Sequence, residues 1–443
     1  MTSIDLLFEH LAEHDAKFRR SVSLIPSENA ISPLSRLAFL SDAYSRYFFD
    51  EHEAFGRWSF QGGSIAGRIQ QEVLVPTMQR LGKASFVDVR CVSGLTAMTT
   101  AIAAFGGAAG EVMLSVPVAN GGHPDTAYVA DRFGLRTLGV PFRDWATIDL
   151  AALADLVAAE RPRLVYLDHA TTLFPLDLTE VVRTIRQAST RPVHIHVDTS
   201  HVNGLIWGGV MDNPLECGAD SYGGSTHKTF PGPHKAVLFT NDAAVSDQLT
   251  GAAVNMISHQ HLSDVIALAI AAVEFVECGG REYAAAVLAN ARTFAAALDR
   301  EGLAVQGHDG EFTRNHQVWL DTAAGPDPHE LSTRLFEAGI VVNPYNPLPS
   351  LGRAGVRMGV NEATRMGLSS DGIDVLASVI GRMAREGAAP KTVAAQVREL
   401  REGMSPRYCY GPEVLEAKLA ALVSPGADAE SLLPKQLREF LYS

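Results

Sequence analysis

Short runs of apolar and β-branched residues recur along the middle of the chain, at Ser85–Val89, Val112–Val116, Leu164–Leu167, Val193–Val197 and Ala236–Phe239. Between them lie longer stretches of helical character, Gly94–Phe105, Ile148–Glu160 and Leu178–Gln187. Strands buried on both faces read as near-continuous apolar runs, because helices cover the sheet above and below. Strands alternating with helices therefore predict an α/β domain with a largely parallel sheet, assigned to residues 56–300. Ahead of it, residues 1–55 read as an N-terminal arm. The arm opens on an amphipathic helix (Ile4, Leu7, Phe8, Leu11) and continues into the stretch Leu24-Ile25-Pro26-Ser27-Glu28-Asn29. After residue 300 the pattern changes. Gln317–Leu320, Ile340–Asn343 and Val356–Gly359 suit strands, and helices are expected around 370–386, 391–402, 411–423 and 434–441. Residues 301–443 are thus expected to form a smaller α+β C-terminal domain.

Composition narrows the class. With 47% hydrophobic and 20% charged residues the chain is globular, which excludes wholesale disorder, collagen and coiled coil. The 37 basic and 50 acidic side chains leave a net charge of −13 with no basic run, which argues against nucleic-acid or anionic-membrane partners. Cys91, Cys217, Cys278 and Cys409 are scattered without a C-x-x-C pair, so neither a disulfide framework nor a zinc site is expected. Asp5, Glu9, Glu13 and Asp15 interrupt any secretory leader, and the longest apolar run, Val265–Val273, is short for a membrane span. A cytoplasmic protein is expected.

The chemistry concentrates in His194-Ile-His-Val-Asp198-Thr-Ser-His201 and Ser225-Thr-His-Lys228-Thr. Asp198 ends an expected strand, and Lys228 follows what reads as a glycine turn, Gly223-Gly224. A strand-end carboxylate and a lysine are what pyridoxal phosphate requires: an amine to tether the cofactor and an anion to keep its ring nitrogen protonated. Taken singly, each residue could equally be a strand cap or a surface lysine. Val92-Ser93-Gly94-Leu95-Thr96 opens a helix after a strand, and unpaired backbone N–H groups there suit a phosphate. In Ala119-Asn120-Gly121-Gly122-His123-Pro124 the glycines allow close backbone approach and the imidazole could stack on a flat ring. Gly355-Val356-Arg357-Met358-Gly359 places an arginine in an apolar run, where it wants a carboxylate, from a substrate or from an internal ion pair. His194, His196 and Asp198 share strand parity, and His259 and His261 form a second H-x-H, yet no third and fourth ligand follows at a metal-site spacing. No metal is expected.

With these residues in place the chain resembles serine hydroxymethyltransferase, and more closely the L-threonine transaldolases that branch from that family. The matching stretches are Leu24–Asn29, Gly121–His123, Val197–His201, Gly204–Val210, Cys217–Asp220, Thr226–Thr229 with Pro231–Pro233, Asn315–Val318 and Arg357–Gly359. The resemblance implies a fold type I pyridoxal-phosphate enzyme of the aspartate aminotransferase-like class, working as a homodimer or homotetramer with active sites between subunits. It implies that Lys228 carries the cofactor, that Asp198 binds the pyridine nitrogen, and that His123 stacks on the ring. His201 would contact the 3′-oxygen, and Ser93, Gly94 and Thr96 would hold the phosphate. Ser200, Thr226 and His227 complete the cofactor-binding set. Arg357 would clamp the substrate carboxylate, and Ser27, Glu28 and Tyr47 match arm residues that approach the substrate, with Glu28 and Tyr47 counted as catalytic.

The departures are informative. The family's Tyr-Ala-Glu-Gly-Tyr glutamate is replaced or displaced in Tyr47-Phe48-Phe49-Asp50. Its Gly-Gly-Gln-Gly-Gly loop reads Met256-Ile-Ser-His-Gln260, its pterin-reading asparagine reads Tyr345, a phosphate-loop serine is Leu95, and an arginine after Gly-Pro is His234. These changes speak against tetrahydrofolate and leave glycine-type carbanion chemistry intact. The implied reaction is cleavage of L-threonine to acetaldehyde followed by addition of the glycyl carbanion to a second aldehyde. A serine or α-methylserine hydroxymethyltransferase and a threonine aldolase are the alternatives. Phe55, Trp58 and Phe60 of the insertion, together with segment 254–262, are expected to shape a pocket for an acceptor larger than formaldehyde.

Overall fold

The computed structural model describes residues 2–49, 56–58, 60–168 and 170–423. The expected helix around 434–441, and the expectations placed on Asp50 and Phe55, lie outside the described residues. Two compact units are present, one made of Asn29–Ala285 with the segment from Tyr408, the other of Met1–Glu28 with Ala286–Arg407.

The larger unit is built on a seven-stranded sheet of β1 (Phe86–Asp88), β2 (Val112–Ser115), β3 (Arg136–Gly139), β4 (Leu164–Asp168), β5 (His194–Asp198), β6 (Ser221–Ser225) and β7 (Ala236–Thr240). The order across it is β1-β7-β6-β5-β4-β2-β3. The run from β6 to β3 is parallel, and β7 pairs antiparallel with both β6 and β1. Each apolar run singled out above is one of these strands. The sheet also holds two strands that the pattern did not show. β3 (Arg-Thr-Leu-Gly) is an edge strand, half-exposed and without an apolar run. β6 (Ser-Tyr-Gly-Gly-Ser) corrects the reading of Gly223-Gly224 as a turn. All five of its residues are buried. A Cβ on Gly223 would lie 2.0 Å from the Val237 carbonyl oxygen, and one on Gly224 would lie 2.2 Å from Ser200 Oγ. The glycines are there because neighbouring chain passes too close for any side chain.

Helix Gly94–Phe105 is fastened to this sheet. Its Met98, Ala101, Ile102 and Phe105 share a buried cluster with Met113, Leu164, Tyr166 and Leu238. Each large apolar side chain so buried contributes about 1.5–3 kcal/mol. The N-terminus of the helix is therefore held in a fixed place by its own underside.

The smaller unit carries a four-stranded antiparallel sheet, order β8-β9-β11-β10, of β8 (Ala304–Val305), β9 (Gln317–Asp321), β10 (Asn343–Leu348) and β11 (Arg353–Gly359). Helices Ser370–Arg385 and Pro390–Glu402 follow as expected. Val22–Ser23 pairs in parallel with Ile340–Val341. The first helix, Ser3–Phe18, carries the expected apolar positions and buries none of its residues. Among the described residues, no helix is long and apolar enough to cross a membrane.

Candidate active site

In an open parallel sheet, ligands bind beyond the carboxyl ends of the strands, and Ser93, His123 and Asp198 all lie at such ends. Asp198 is the last residue of β5, in register with Asp168 of β4 and Gly223 of β6. Its carboxylate is buried and held at both oxygens: Tyr166 donates its hydroxyl to Oδ2 at 2.7 Å, and the Ser200 backbone N–H donates to Oδ1 at 2.9 Å. Burial and the neighbouring Asp198 charge push the Tyr166 phenol well above its ordinary range, so it remains a donor.

The phosphate-type site is formed by the start of helix Gly94–Phe105. Ser93 is its N-cap, with a reciprocal box: Ser93 Oγ accepts from Thr96 N at 3.2 Å, and Thr96 Oγ1 accepts from Ser93 N at 2.7 Å. An added Cβ on Gly94 would lie 2.2 Å from Ser225 Oγ and 3.6 Å from Ser200 Oγ. Ser200 Oγ accepts from Ser225 N at 2.9 Å. Ser93, Gly94, Ser200, Ser225 and Asp198 thus belong to one packed cradle of hydroxyls, backbone N–H groups and one carboxylate. That donor set, hydroxyls and helix-start N–H groups for a phosphate and a buried carboxylate for a ring nitrogen, fits a pyridine ring carrying a phosphate.

Lys228 follows directly. Its backbone oxygen accepts from Asn29 Nδ2 at 2.6 Å, and the same amide reaches Tyr283 Oη at 2.9 Å. Thr226 is buried and donates its hydroxyl to the Pro233 carbonyl at 2.7 Å. His201 is buried, and its carbonyl accepts from Thr229 Oγ1 at 2.8 Å. His227 stacks on His234 at 4.0 Å, and burial, with His234 and Lys228 adding to it, holds its imidazole down to about 3.

His123 sits in the loop after β2, past Gly121, whose φ of +95° favours glycine. Its backbone N–H donates to Asp168 Oδ2 at 3.0 Å, and its Nδ1 accepts from Asp125 N at 3.2 Å. Tyr47 lies elsewhere in the same unit. The pair Tyr47–Phe48 is antiparallel to Gln260–His261, and the Tyr47 ring stacks on His259 at 4.6 Å, close to Phe49 and Phe60. The segments expected to shape an acceptor pocket therefore meet.

Ser27, Glu28 and Arg357 belong to the smaller unit. Glu28 is exposed, and its carbonyl accepts from Asn361 Nδ2 at 2.5 Å. Arg357 is buried in β11. It donates through Nε and Nη2 to Asn343 Oδ1 at 3.1 and 2.7 Å, and its guanidinium lies 4.1 Å over the Tyr345 ring. Burial lowers it to about 10. The residue that departs from the family pattern is thus the one supporting the proposed carboxylate clamp. His194 Nε2 and His196 Nδ1 share the Ser221 hydroxyl at 2.8 Å each, so that histidine pair is bound up in sheet structure.

Tyr166, Asp168 and Asn203 were not among the residues singled out from the sequence, and Ser225 was named there only as the start of the lysine motif. Asn203 Nδ2 donates to the Ser225 carbonyl at 2.9 Å and ties the loops after β5 and β6. A usable signal existed for two of them. Tyr166 and Asp168 are polar positions in an otherwise apolar strand, and parallel register places Asp168 beside Asp198.

The sequence model for "Serine hydroxymethyltransferase" matches residues 3–380. The chain belongs to the serine hydroxymethyltransferase family. Membership makes it a fold type I, pyridoxal-phosphate-dependent transferase of aldol type. Within the family it is similar to proteins named L-threonine:uridine-5′-aldehyde transaldolase. One, from an Amycolatopsis species, is 36% identical over 381 residues, spanning 85% of this chain and 92% of the relative. Another, from a Streptomyces species, is 36% identical over 397 residues, spanning 89% and 95%. The crystal structure of L-threonine transaldolase from Pseudomonas fluorescens superposes with a TM-score of 0.85 at 28% identity, covering 95% of this chain and 97% of that one.

Proposed function

We propose that this family member is an L-threonine transaldolase that works without tetrahydrofolate. The reading rests on the near full-length likeness to transaldolases, and the site is furnished for that chemistry. L-threonine and a second aldehyde would be converted to acetaldehyde and a new β-hydroxy-α-amino acid. When bound, pyridoxal phosphate supplies an electron sink for negative charge on the amino acid Cα.

The chain's own residues supply the rest. Lys228 Nζ is the amine that tethers the cofactor. Ser93, Gly94 and Thr96 present donors to its phosphate at a helix N-terminus, where the backbone N–H groups have no helical acceptor. Asp198, oriented by Tyr166 and Ser200, holds a proton on the ring nitrogen. Arg357 takes the amino-acid carboxylate, its planar fork matching two oxygens. His123 would stack on the ring. His123 or Glu28 takes the β-hydroxyl proton as the Cα–Cβ bond breaks. By fixing the amino-acid carboxylate and facing the ring, Arg357 and His123 would select which bond at Cα is broken, so orientation would supply much of the barrier reduction. The Tyr47, His259, Phe49 and Phe60 rings are offered to the acceptor aldehyde, in keeping with an acceptor larger than formaldehyde. A homodimer or homotetramer is the proposed working state.

The test is to mix the coloured holoenzyme with L-threonine, without folate, and to follow acetaldehyde and the visible spectrum. Acetaldehyde release and a persistent spectral change, quenched by an added aldehyde, support the reading. No acetaldehyde, with turnover of serine only when folate is added, overturns it in favour of a hydroxymethyltransferase. An acceptor panel in which formaldehyde outcompetes every larger aldehyde removes the acceptor assignment alone.

A further inference from the structure

We propose that Asp168 is a positioning residue for this site: it fixes the Gly121-Gly122-His123 loop against the strand ends and thereby sets the His123 ring over the cofactor. The proposal rests on the reading of His123 as the ring-facing residue.

The geometry is specific. Asp168 ends β4 in register with Asp198 at the end of β5, so the two carboxylates stand at the same level of adjacent parallel strands. Asp168 Oδ2 accepts from His123 N at 3.0 Å and from Thr126 Oγ1 at 2.8 Å. Those donors flank the turn that starts helix Asp125–Arg132. The loop cannot recede, because a Cβ on Gly122 would lie 2.0 Å from the Val116 carbonyl oxygen and 3.2 Å from Asp168 Oδ1. The Thr171 N–H donates to the Gly121 carbonyl at 2.9 Å and closes the loop from the other side. The His123 backbone N–H is pinned by a carboxylate, while its carbonyl accepts from Thr126 N at 3.2 Å within the turn.

A neutral amide could accept the same two bonds, and a carboxylate here costs the fold something. Asp168 is 4% exposed, and its Oδ1 is buried without a hydrogen-bond partner among the described residues. Burial, with the Asp198 charge adding to it, lifts the carboxyl to about 7, against the pull of the His123 and Thr126 bonds. Among the described residues, the titratable groups around it are Tyr166 on its own strand, Asp198 and His196 on β5, and His123 and Asp125 on the loop and helix it holds. Tyr166 stays protonated, and burial keeps the His196 imidazole at about 4 and uncharged near neutrality. Asp168 therefore changes charge close to neutral pH beside the anion that serves the ring nitrogen. Ionised, it is the stronger acceptor for His123 N; protonated, it holds the loop less firmly. A buried, shifted carboxyl with a defined charge partner and a fixed loop in its grip is a candidate for a part in the site.

The experiment compares Asp168→Ala, Asp168→Asn and Thr126→Val as holoenzymes. It measures kcat and KM for L-threonine and the visible circular dichroism of the bound cofactor across pH. Asp168→Ala should lower kcat about a hundredfold, as expected for a displacement of roughly 1 Å at the reacting centre, with a smaller change in KM and a weaker visible dichroism. Asp168→Asn should keep the dichroic band and abolish the wild-type limb near pH 7. Thr126→Val removes a bond that favours the carboxylate, so the limb should move to higher pH. Wild-type kcat and dichroism in Asp168→Ala overturn the proposal, and so does a limb that persists unchanged in Asp168→Asn. Should Asp168→Ala fail to fold, the other two variants decide through the limb. If the wild type releases no acetaldehyde from L-threonine, the assigned reaction fails instead. The dichroism and its pH dependence need no substrate and still judge Asp168.

Discussion

The roles proposed for Lys228 and Arg357 are separable, and replacing each should fail in its own way. Lys228→Ala removes the proposed tether and should cost the visible colour and several orders of magnitude in turnover, with far-ultraviolet circular dichroism unchanged. Residual threonine cleavage at the wild-type rate would remove Lys228 from its role. Arg357→Lys keeps the charge and loses the planar fork, as well as the double donation to Asn343 Oδ1 and the stacking on Tyr345. Hydrogen bonds to charged groups are worth about 1.5–3 kcal/mol, so KM for L-threonine should rise about 10- to 100-fold with a lesser change in kcat. Equal KM values would reassign the arginine to a structural part. Both residues stand out in the sequence because each is a cation in a patterned stretch, Lys228 in Ser225–Thr229 and Arg357 within an apolar run. Asp168 and Tyr166 show in the sequence only as polar positions in an apolar strand, because their meaning comes from a strand about thirty residues away, in register only once the sheet is paired.

At the scale of elements, helix Gly94–Phe105 shows how one segment serves stability and binding together. Its buried underside fixes it to the sheet, while the Ser93–Thr96 box finishes its N-terminus. Ser93→Ala removes the cap and should cost about 1 kcal/mol in the apoprotein. The holoprotein should lose more, since a phosphate donor goes with it. Thermal unfolding of both forms checks this, and an equal loss in each would mean that Ser93 caps the helix and does nothing for the phosphate. The same helix was readable from residue 94 to 105, because apolar periodicity, an N-cap serine and its threonine partner agree. β6 was hidden for the opposite reason. Ser-Tyr-Gly-Gly-Ser carries the composition of a turn, and only the proximity of Val237 and Ser200 explains its glycines.

Across the whole molecule, buried titratable groups set the response to acid. Burial lowers His194 from 6.5 to about 2 and His196 from 6.5 to about 4. His227 falls likewise to about 3. Each folded imidazole binds protons less readily than the unfolded one, so its contribution is complete above pH 6.5 and is lost as pH falls below it. Asp168 acts in the other direction. Its folded value near 7 lies above the ordinary 3.8, so it lowers stability as pH rises between those values. Three histidines outweigh one carboxyl. The urea midpoint should fall on acidification from pH 6.5 toward 4, and more steeply in Asp168→Asn, where the opposing contribution is gone. A midpoint that rises toward acid would contradict this balance.

The strand order of the larger unit also bears on how the protein comes into being. Asp168, Asp198 and Gly223 come into register only when β4, β5 and β6 lie side by side, and parallel neighbours are joined by long crossovers. Such non-local pairing forms late, after the entropy of closing those connections has been overcome. Colour regained by added cofactor during refolding from urea would then follow completion of the sheet, lagging behind the early helical signal. The cofactor site would be the last thing the chain acquires, and the colour of the holoprotein a readout of a finished fold.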